Sequence, residues 1–409
     1  MTAREFAIDV VCRLQDAGYE ALWAGGCVRD ELMSHPSNDI DIATSASVEE
    51  IQALFPKTIP VGVAFGIVIV VEGGHHFEVA TFRKESGYLD GRRPTSIERA
   101  TPQEDAQRRD FTINGMFWDP LTQTLHDFVG GQEDLQRKVI RAIGDPHERF
   151  LEDRLRMMRA ARYATRFGFC IELATERAII SHAQSLLPAV AMERVWQEFK
   201  KMAQWGHLDA GLIKLHELHL LSVIFPSLHD LSMHAIQHRL LPLKAFPAQA
   251  PAICALLELF PSETLEQLET LCERLKLSSA EKESVEFLTH AKQLSNMPQG
   301  WHLEPFEWVT FYANPHAHIS LEIIAAHLQE REAFLDSHRK RQQELFSHIE
   351  RRILKIPLVR AEHLIQEGIP PGKHLGILLQ EAEKLTINHN LDNKEAVILL
   401  LKKSSLWHN

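Results

Sequence analysis

The stretch Asn38-Asp39-Ile40-Asp41-Ile42-Ala43-Thr44 alternates polar and apolar residues, the period of a half-buried strand. On a strand over Asp39–Ala43, Asp39 and Asp41 share one face while Ile40 and Ile42 turn into a core. Two carboxylates that close repel each other. A divalent cation relieves the repulsion, and oxygen donors suit Mg²⁺. The plainer alternative is a strand face with two solvated acids, so the neighbouring segments decide.

Upstream stands Ala24-Gly25-Gly26-Cys27-Val28-Arg29-Asp30. Glu20–Ala24 reads as a strand and Arg29–Met33 as the start of a helix. A Gly-Gly turn between them lets backbone N–H groups approach phosphate, and Arg29 is placed to hold a phosphate oxygen. Before it, Thr2–Ala17 has the period of an amphipathic helix. Downstream, Ile67–Glu72 is a β-branched run and Phe77–Phe82 alternates, with Gly73-Gly74-His75-His76 joining them as a hairpin. Glu78 on that second strand is a candidate third carboxylate; a half-exposed strand residue is the bland alternative. Arg83–Gln107 is a long polar stretch rich in charge, Pro and Gly, a length usually functional or mobile. Arg108-Arg109-Asp110-Phe111-Thr112-Ile113-Asn114-Gly115-Met116 then sets two arginines before an apolar helix pattern, suited to a polyphosphate or to a salt-bridged helix start.

The whole chain bounds these readings. With 409 residues, 45% apolar and 24% charged, it has room for several domains and is neither disordered nor fibrous. No run of about 18 apolar residues predicts a membrane span, and the first residues lack the pattern of a signal peptide. Cys12, Cys27, Cys170, Cys254 and Cys272 form no CxxC pair, which suits a reducing cytoplasm. The net charge of −11 counts against a nucleic-acid partner. Between Arg83 and Lys201, however, 20 Lys/Arg face 18 Asp/Glu, so the acidic excess lies mostly elsewhere. After Asp145-Pro146 strand patterns almost vanish. Helical periodicity follows, punctuated at Pro188, Pro226, Pro242–Pro251, Pro298 and Pro357.

Glu148–Tyr163 reads as one helix, with Asp153 and Arg156 as i,i+3 neighbours and Arg159 and Arg162 continuing the row. From Arg154 to Arg166 there are five arginines and no carboxylate. A charged outer face is the ordinary meaning of such a pattern. An excess of positive charge also invites a nucleoside triphosphate. Cytosine and adenine each set an exocyclic amino donor beside a ring-nitrogen acceptor, and uracil and guanine present the reverse. Asp153 beside Arg156 therefore complements C and A and mismatches U and G. A mismatch that leaves polar groups unpaired discriminates by ~10⁴-fold.

Taken in order, GGCVRD, NDIDIAT, FEVATFR and RRDFTINGM resemble the head domain of class II tRNA nucleotidyltransferases (CCA-adding enzymes) and the related bacterial poly(A) polymerases, within the polymerase-β-like superfamily. EDxxR at Glu152, Asp153 and Arg156 resembles the family's amino-acid template, and Met192–Glu198, more loosely, its neck helix. Met33–Asn38 departs from the usual Leu-Gly-Arg-x-Pro loop, and Gly115 replaces a common alanine. The resemblance covers roughly residues 20–205. It implies an α+β protein with a small mixed sheet in a catalytic head (1–145). A helical neck reading the base (146–205), a helical body (206–330) and a helical tail holding tRNA (331–409) follow.

It further implies that Asp39 and Asp41 hold two Mg²⁺ ions with Glu78 as third carboxylate. Gly25, Gly26, Arg29, Arg109, Asp110, Asn114, Arg159 and Arg162 would bind the nucleotide, and Asp153 and Arg156 would select CTP and ATP for the tRNA 3′ end. Arg83–Gln107 would guide the shift from C to A addition. Poly(A), CC-only or A-only addition are alternatives within the class; a nucleotide- or RNA-binding protein without turnover is the alternative outside it. Oligomeric state is not legible.

In the helical remainder, His229-Asp230 invites comparison with HD phosphohydrolases but lacks supporting ligands, and His234/His238 lack the Glu of HExxH. Arg339–Arg341, Arg351, Arg352, Lys355 and Arg360 form a basic stretch, a solvated face or a phosphate-backbone contact. Gly368–Gly376 reads as a helix–turn–helix connection.

Overall fold

The computed structural model describes residues 2–35, 39–62, 66–88, 94–295 and 303–407. Asn38 and Pro298 from the sequence readings, and the tip of Arg83–Gln107 at 89–93, lie outside the described residues. The chain divides into two units, Met1–Gln237 and His238–Asn409.

In the first unit, helix α1 (Ala3–Asp16) opens with a capping box in which the Thr2 hydroxyl accepts from Glu5 N–H and the Glu5 carboxylate accepts from Thr2 N–H. Its Ala7, Val10, Val11 and Leu14 fall on one buried face. Strand β1 (Ala21–Ala24) and helix α2 (Gly26–Leu32) follow, then β2 (Ile42–Thr44), α3 (Val48–Leu54), β3 (Thr58–Gly62), β4 (Ile67–Glu72) and β5 (His75–Thr81). The hairpin turn between β4 and β5 is Gly73-Gly74, both at positive φ (56° and 84°), as a two-residue type I′ loop requires. A Cβ on Gly73 would meet the Phe6 ring at 2.0 Å, so this position is closed to side chains twice over.

Arg83–Gln107 is not a plain connection. It holds strand β6 (Arg83–Tyr88) paired antiparallel with β7 (Pro94–Arg99), and then helix α4 (Pro102–Gln107) under a Thr101–Glu104 capping box. The helix expected after Arg109 is only a 3₁₀ turn, Thr112–Asn114. Strands β8 (Phe117–Asp119) and β9 (Thr124–His126) complete a seven-stranded sheet of order β3-β4-β5-β2-β1-β8-β9. Among the described residues of this sheet only β2 and β5 pair in parallel; the other neighbours are antiparallel. Val10, Val11 and Leu14 of α1 pack with Trp23, Ile42, Phe55, Phe77 and Val79 in the core of this domain.

Beyond the sheet come α5 (Gly131–Arg137), the two-residue strand β10 (Val139–Ile140) and α6 (Pro146–Glu152). Next are α7 (Leu155–Phe167), β11 (Cys170–Ile171), α8 (Leu173–His182) and α9 (Met192–Gln204). The single helix expected over Glu148–Tyr163 is broken. Asp153 is extended (φ −145°, ψ 105°), and its carboxylate accepts from Leu155 N–H at 3.1 Å. This bond to the backbone two residues on turns the chain just ahead of α7, whose own N-cap is Arg154.

The described secondary-structure elements of the second unit are all helices. Leu364, Leu378, Ala382, Val397 and Leu401 are buried in a core of its own, formed by Ala361–Gln366, Lys373–Asn388 and Lys394–Leu401. The first part of the connection read at Gly368–Gly376 lies between the first two of these helices, with Gly368 at φ 95°, while Lys373–Gly376 begin the second helix. No described helix is long and apolar enough to cross a membrane.

Candidate active site

Asp39 and Asp41 precede β2 rather than lie inside it, yet the alternation holds. Both acids are exposed while Ile40 and Ile42 are buried, and Ala24 N–H donates to Asp41 C=O at 2.9 Å. Ile42 pairs with Val79 across the parallel β2–β5 ladder. Glu78 therefore lies alongside Asp41, exposed on the same face. Although Asp41 keeps solvent-exposed surface, the protein around its carboxyl desolvates it, and with Glu78 and Asp39 nearby its pKa is pushed from 3.8 up to about 7; Arg109 opposes the shift. Asp41 thus senses both of the other acids. Among the described residues no three acidic, histidine or cysteine side chains close into a ready metal cage.

The glycine turn explains itself sterically. Gly25 sits at φ 73°, and a Cβ there would stand 2.8 Å from an Arg109 guanidinium nitrogen. Helix α2 starts at Gly26, earlier than expected, which places Arg29 inside it. Arg29 is 3% exposed. Its Nη1 donates to Asn114 Oδ1 at 2.5 Å, and its Nε and Nη2 donate to Asp30 Oδ1 at 2.8 and 2.6 Å. The guanidinium lies over the Tyr163 and Phe167 rings. A phosphate seeking Arg29 must compete with Asp30 for it.

From Arg29 a polar chain runs from sheet domain to helices. Asn114 Nδ2 donates to Asp110 Oδ1 at 3.1 Å, Arg159 Nε donates to Asp110 Oδ2 at 2.7 Å, and Arg159 Nη2 donates to the Tyr163 hydroxyl at 3.0 Å. Burial alone would raise the Asp110 carboxyl. The Arg159 guanidinium and the Asn114 amide overcome it and hold the pKa down at about 2. Arg109 pairs with Asp105 at 3.0 Å, and Arg108 pairs with the same carboxylate. Asp105 is 1% exposed, and burial there is outweighed by the two guanidinium groups, so its pKa is lowered.

The arginine row carries less free charge than its sequence suggests. Arg156 pairs with Glu152 at 2.6 Å and donates to Arg108 C=O at 2.9 Å. Arg159 pairs with Asp110, and Arg162 with Glu198 of α9 at 2.5 Å. Asp153 pairs with Arg194 of α9 through both carboxylate oxygens, at 3.2 and 2.8 Å. Asp153 and Arg156 are thus each held by another residue: Asp153 lies before α7, and Arg156 lies in its first turn. Arg194 and Glu198 fall in the segment read as a neck helix, but their partners were not legible.

A cavity of about 900 Å³ opens at Asp39 and Asp41, with Gly26, Arg29 and Asp30 on its wall. Arg166, Phe167, Trp205 and His207 also line it, and sequence reasoning singled out none of these four. The only available signal was Arg166, which extends the arginine row by one helical turn. Asp153 and Arg156 do not line this cavity. His229 and Asp230 are exposed, and with no described metal cluster they remain surface residues.

Two family profiles match the chain. One described as "Poly A polymerase head domain" covers residues 21–141, and one described as "Probable RNA and SrmB- binding site of polymerase A" covers residues 168–231. A CCA-adding enzyme of Pediococcus pentosaceus is 35% identical over 97% of this chain and 96% of its own length. One from Anoxybacillus flavithermus is 43% identical over 53% of this chain and 55% of its own. The solved structure of the Bacillus stearothermophilus CCA-adding enzyme in complex with CTP superposes with a TM-score of 0.75 at 27% identity, covering 98% of each chain. A full-length relative at this identity, on a head whose paired aspartates and glycine turn have the expected geometry, makes this chain a member of the CCA-adding enzyme family of tRNA nucleotidyltransferases.

Proposed function

We propose that the protein adds CMP and AMP from CTP and ATP to the 3′ end of tRNA, building or repairing CCA without a nucleic-acid template. The observation that carries this reading is the one-sided cluster of Asp39, Asp41 and Glu78 beside the Gly25–Arg29 turn, in a chain related over its full length to CCA-adding enzymes. In the reaction the RNA 3′ oxygen bonds to the α-phosphorus, the bond to the β-phosphate oxygen breaks, pyrophosphate leaves, and the 3′-hydroxyl proton is released.

Asp39 and Asp41 are the proposed holders of Mg²⁺. Carboxylate oxygens are its preferred donors, and it commonly takes one or two of them, completing its shell with water and substrate phosphates. An open cluster rather than a cage therefore fits. Bound Mg²⁺ would supply Lewis acidity toward the 3′-hydroxyl and the triphosphate. Glu78 keeps the local field negative and so favours the cation. Gly25 and Gly26 leave the turn open to the triphosphate, and Arg109 adds positive charge beside it. Asp110, Asn114 and Arg159 hold Arg29 and the helices in register. Arg162, tied to Glu198, anchors the base-reading helix.

Asp153 and Arg156 are the proposed readers of C and A. Their ion pairs with Arg194 and Glu152 keep them oriented until a base offers its own donor and acceptor. The β6–β7 hairpin and α4, within Arg83–Gln107, are assigned the guidance of the C-to-A change. The helices after Asp145 serve as neck, body and tail as their sequence resemblance implies. Five cysteines without a disulfide among the described residues fit a reducing compartment, and the cytoplasm is the proposed location.

Asp41→Asn tests the reading. Incorporation of both CMP and AMP into tRNA lacking CCA should fall to background while the thermal transition stays cooperative. Retained turnover would remove the metal assignment.

A further inference from the structure

The cavity at Asp39 and Asp41 has a wall that the proposed nucleotide contacts do not use. Trp205, just past the end of α9, is 47% exposed although it is a large aromatic side chain. Arg166 lies over its ring with the guanidinium carbon 3.8 Å from the centroid, and over Phe167 at 4.7 Å. The only carboxylate paired with Arg166 among the described residues is Asp30, at a long 3.5 Å, and Asp30 already serves Arg29 at 2.6 Å. Burial and then the neighbouring Arg29 disfavour the charge on Arg166 more than Asp30 favours it, so an anion placed against this guanidinium would be stabilising. A half-exposed indole with an under-neutralised guanidinium over its ring is a combination that single-stranded nucleic acid uses: a base stacks on the exposed ring surface and a phosphodiester meets the cation.

We infer that Trp205 and Arg166 hold the terminal nucleotide of the RNA acceptor, its base stacked at Trp205 and its phosphodiester at Arg166, with its 3′-hydroxyl toward Asp39 and Asp41. This assignment rests on the function proposed above and adds to it a site for the primer. The choice of primer over incoming nucleotide follows from the lining. The cavity includes the two aspartates but neither Asp153 nor Arg156, so a base lodged there is not the one being selected. Stacking has no base preference, which suits an acceptor end whose last nucleotide changes at each step.

Steady-state kinetics on Trp205→Ala and Trp205→Phe, with tRNA lacking CCA and CTP varied in turn, test the inference. Trp205→Ala should raise KM for the tRNA about tenfold, the order expected for losing one base–aromatic stack. KM for CTP and kcat should stay within about twofold. Trp205→Phe should recover most of the loss, since it keeps a π-face. An unchanged tRNA KM, a rise confined to CTP, or a parallel rise in both would overturn the assignment. Failure of the wild-type enzyme to extend this tRNA would instead sink the underlying function, and the inference with it.

Discussion

Asp41 concentrates the site's chemistry in one side chain. Its proton is bound more tightly in the folded protein than in the unfolded chain, since burial and two neighbouring acids lift the pKa from 3.8 to about 7. In metal-free protein its contribution therefore favours folding fully below about pH 4 and is lost as pH rises through 7. Thermal melts in EDTA should show this slope in the wild type and not in Asp41→Asn; equal slopes would contradict it. The same carboxyl must lose its proton to bind Mg²⁺. Affinity for Mg²⁺ should accordingly rise between pH 6 and pH 8, as titration calorimetry would read, and a flat profile would count against Asp41 as a ligand. Asp153→Ala should relax base choice more than it slows phosphoryl transfer. Comparing incorporation of all four nucleotides checks this, and unchanged selectivity would remove Asp153 as a reader. The paired aspartates were legible because a strand's period of two is local. The raised Asp41 pKa was not, because it depends first on how the folded protein desolvates that carboxyl, and then on Glu78, which reaches Asp41 only through the β2–β5 ladder.

The elements around the site show where local reading fails. The α6–α7 break falls inside a run of good helix formers, so periodicity carried straight through it. The signal was Asp153 itself, whose short carboxylate can bond the backbone two residues on and turn the chain. The hairpin in Arg83–Gln107 was hidden because its strands are polar, and its pairing runs through backbone groups rather than an apolar stripe. The arginine row looked unneutralised because its acids arrive from other elements, such as Asp110 before α7 and Glu198 in α9. Arg162 and Glu198 are 5% and 2% exposed. Removing one charge of a buried pair strands the other and costs about 3–5 kcal/mol. Glu198→Ala should destabilise the protein by about 3 kcal/mol in chemical denaturation, and a loss under ~1 kcal/mol would mean the pair does not join α7 to α9.

At the scale of the molecule, sequence was informative on the head and thin on the helices that follow. The breaks at Pro188, Pro226, Pro242–Pro251 and Pro357 were legible and fall between α-helices; helix bounds and packing were not, since they turn on apolar residues that all look alike. The later part of the basic stretch read from Arg339 to Arg360 gains shape in the second unit. Arg351, Arg352, Lys355 and Arg360 line a cavity of about 970 Å³ together with Phe306 and Ile377. If this surface meets tRNA phosphates, Arg352→Glu with Lys355→Glu should weaken tRNA binding and flatten its salt dependence by about one unit of slope per charge removed. Filter binding across a salt series reads both, and an unchanged slope would leave the stretch a solvated face.

The decisive measurement is sequencing the products made on tRNA ending before, within and after CCA, with all four nucleotides supplied. A self-limiting enzyme that selects bases by Asp153 and Arg156 adds only C, C and A as each end requires, and leaves a complete end untouched. Runs of A, incorporation of U or G, or no extension of any end would contradict it.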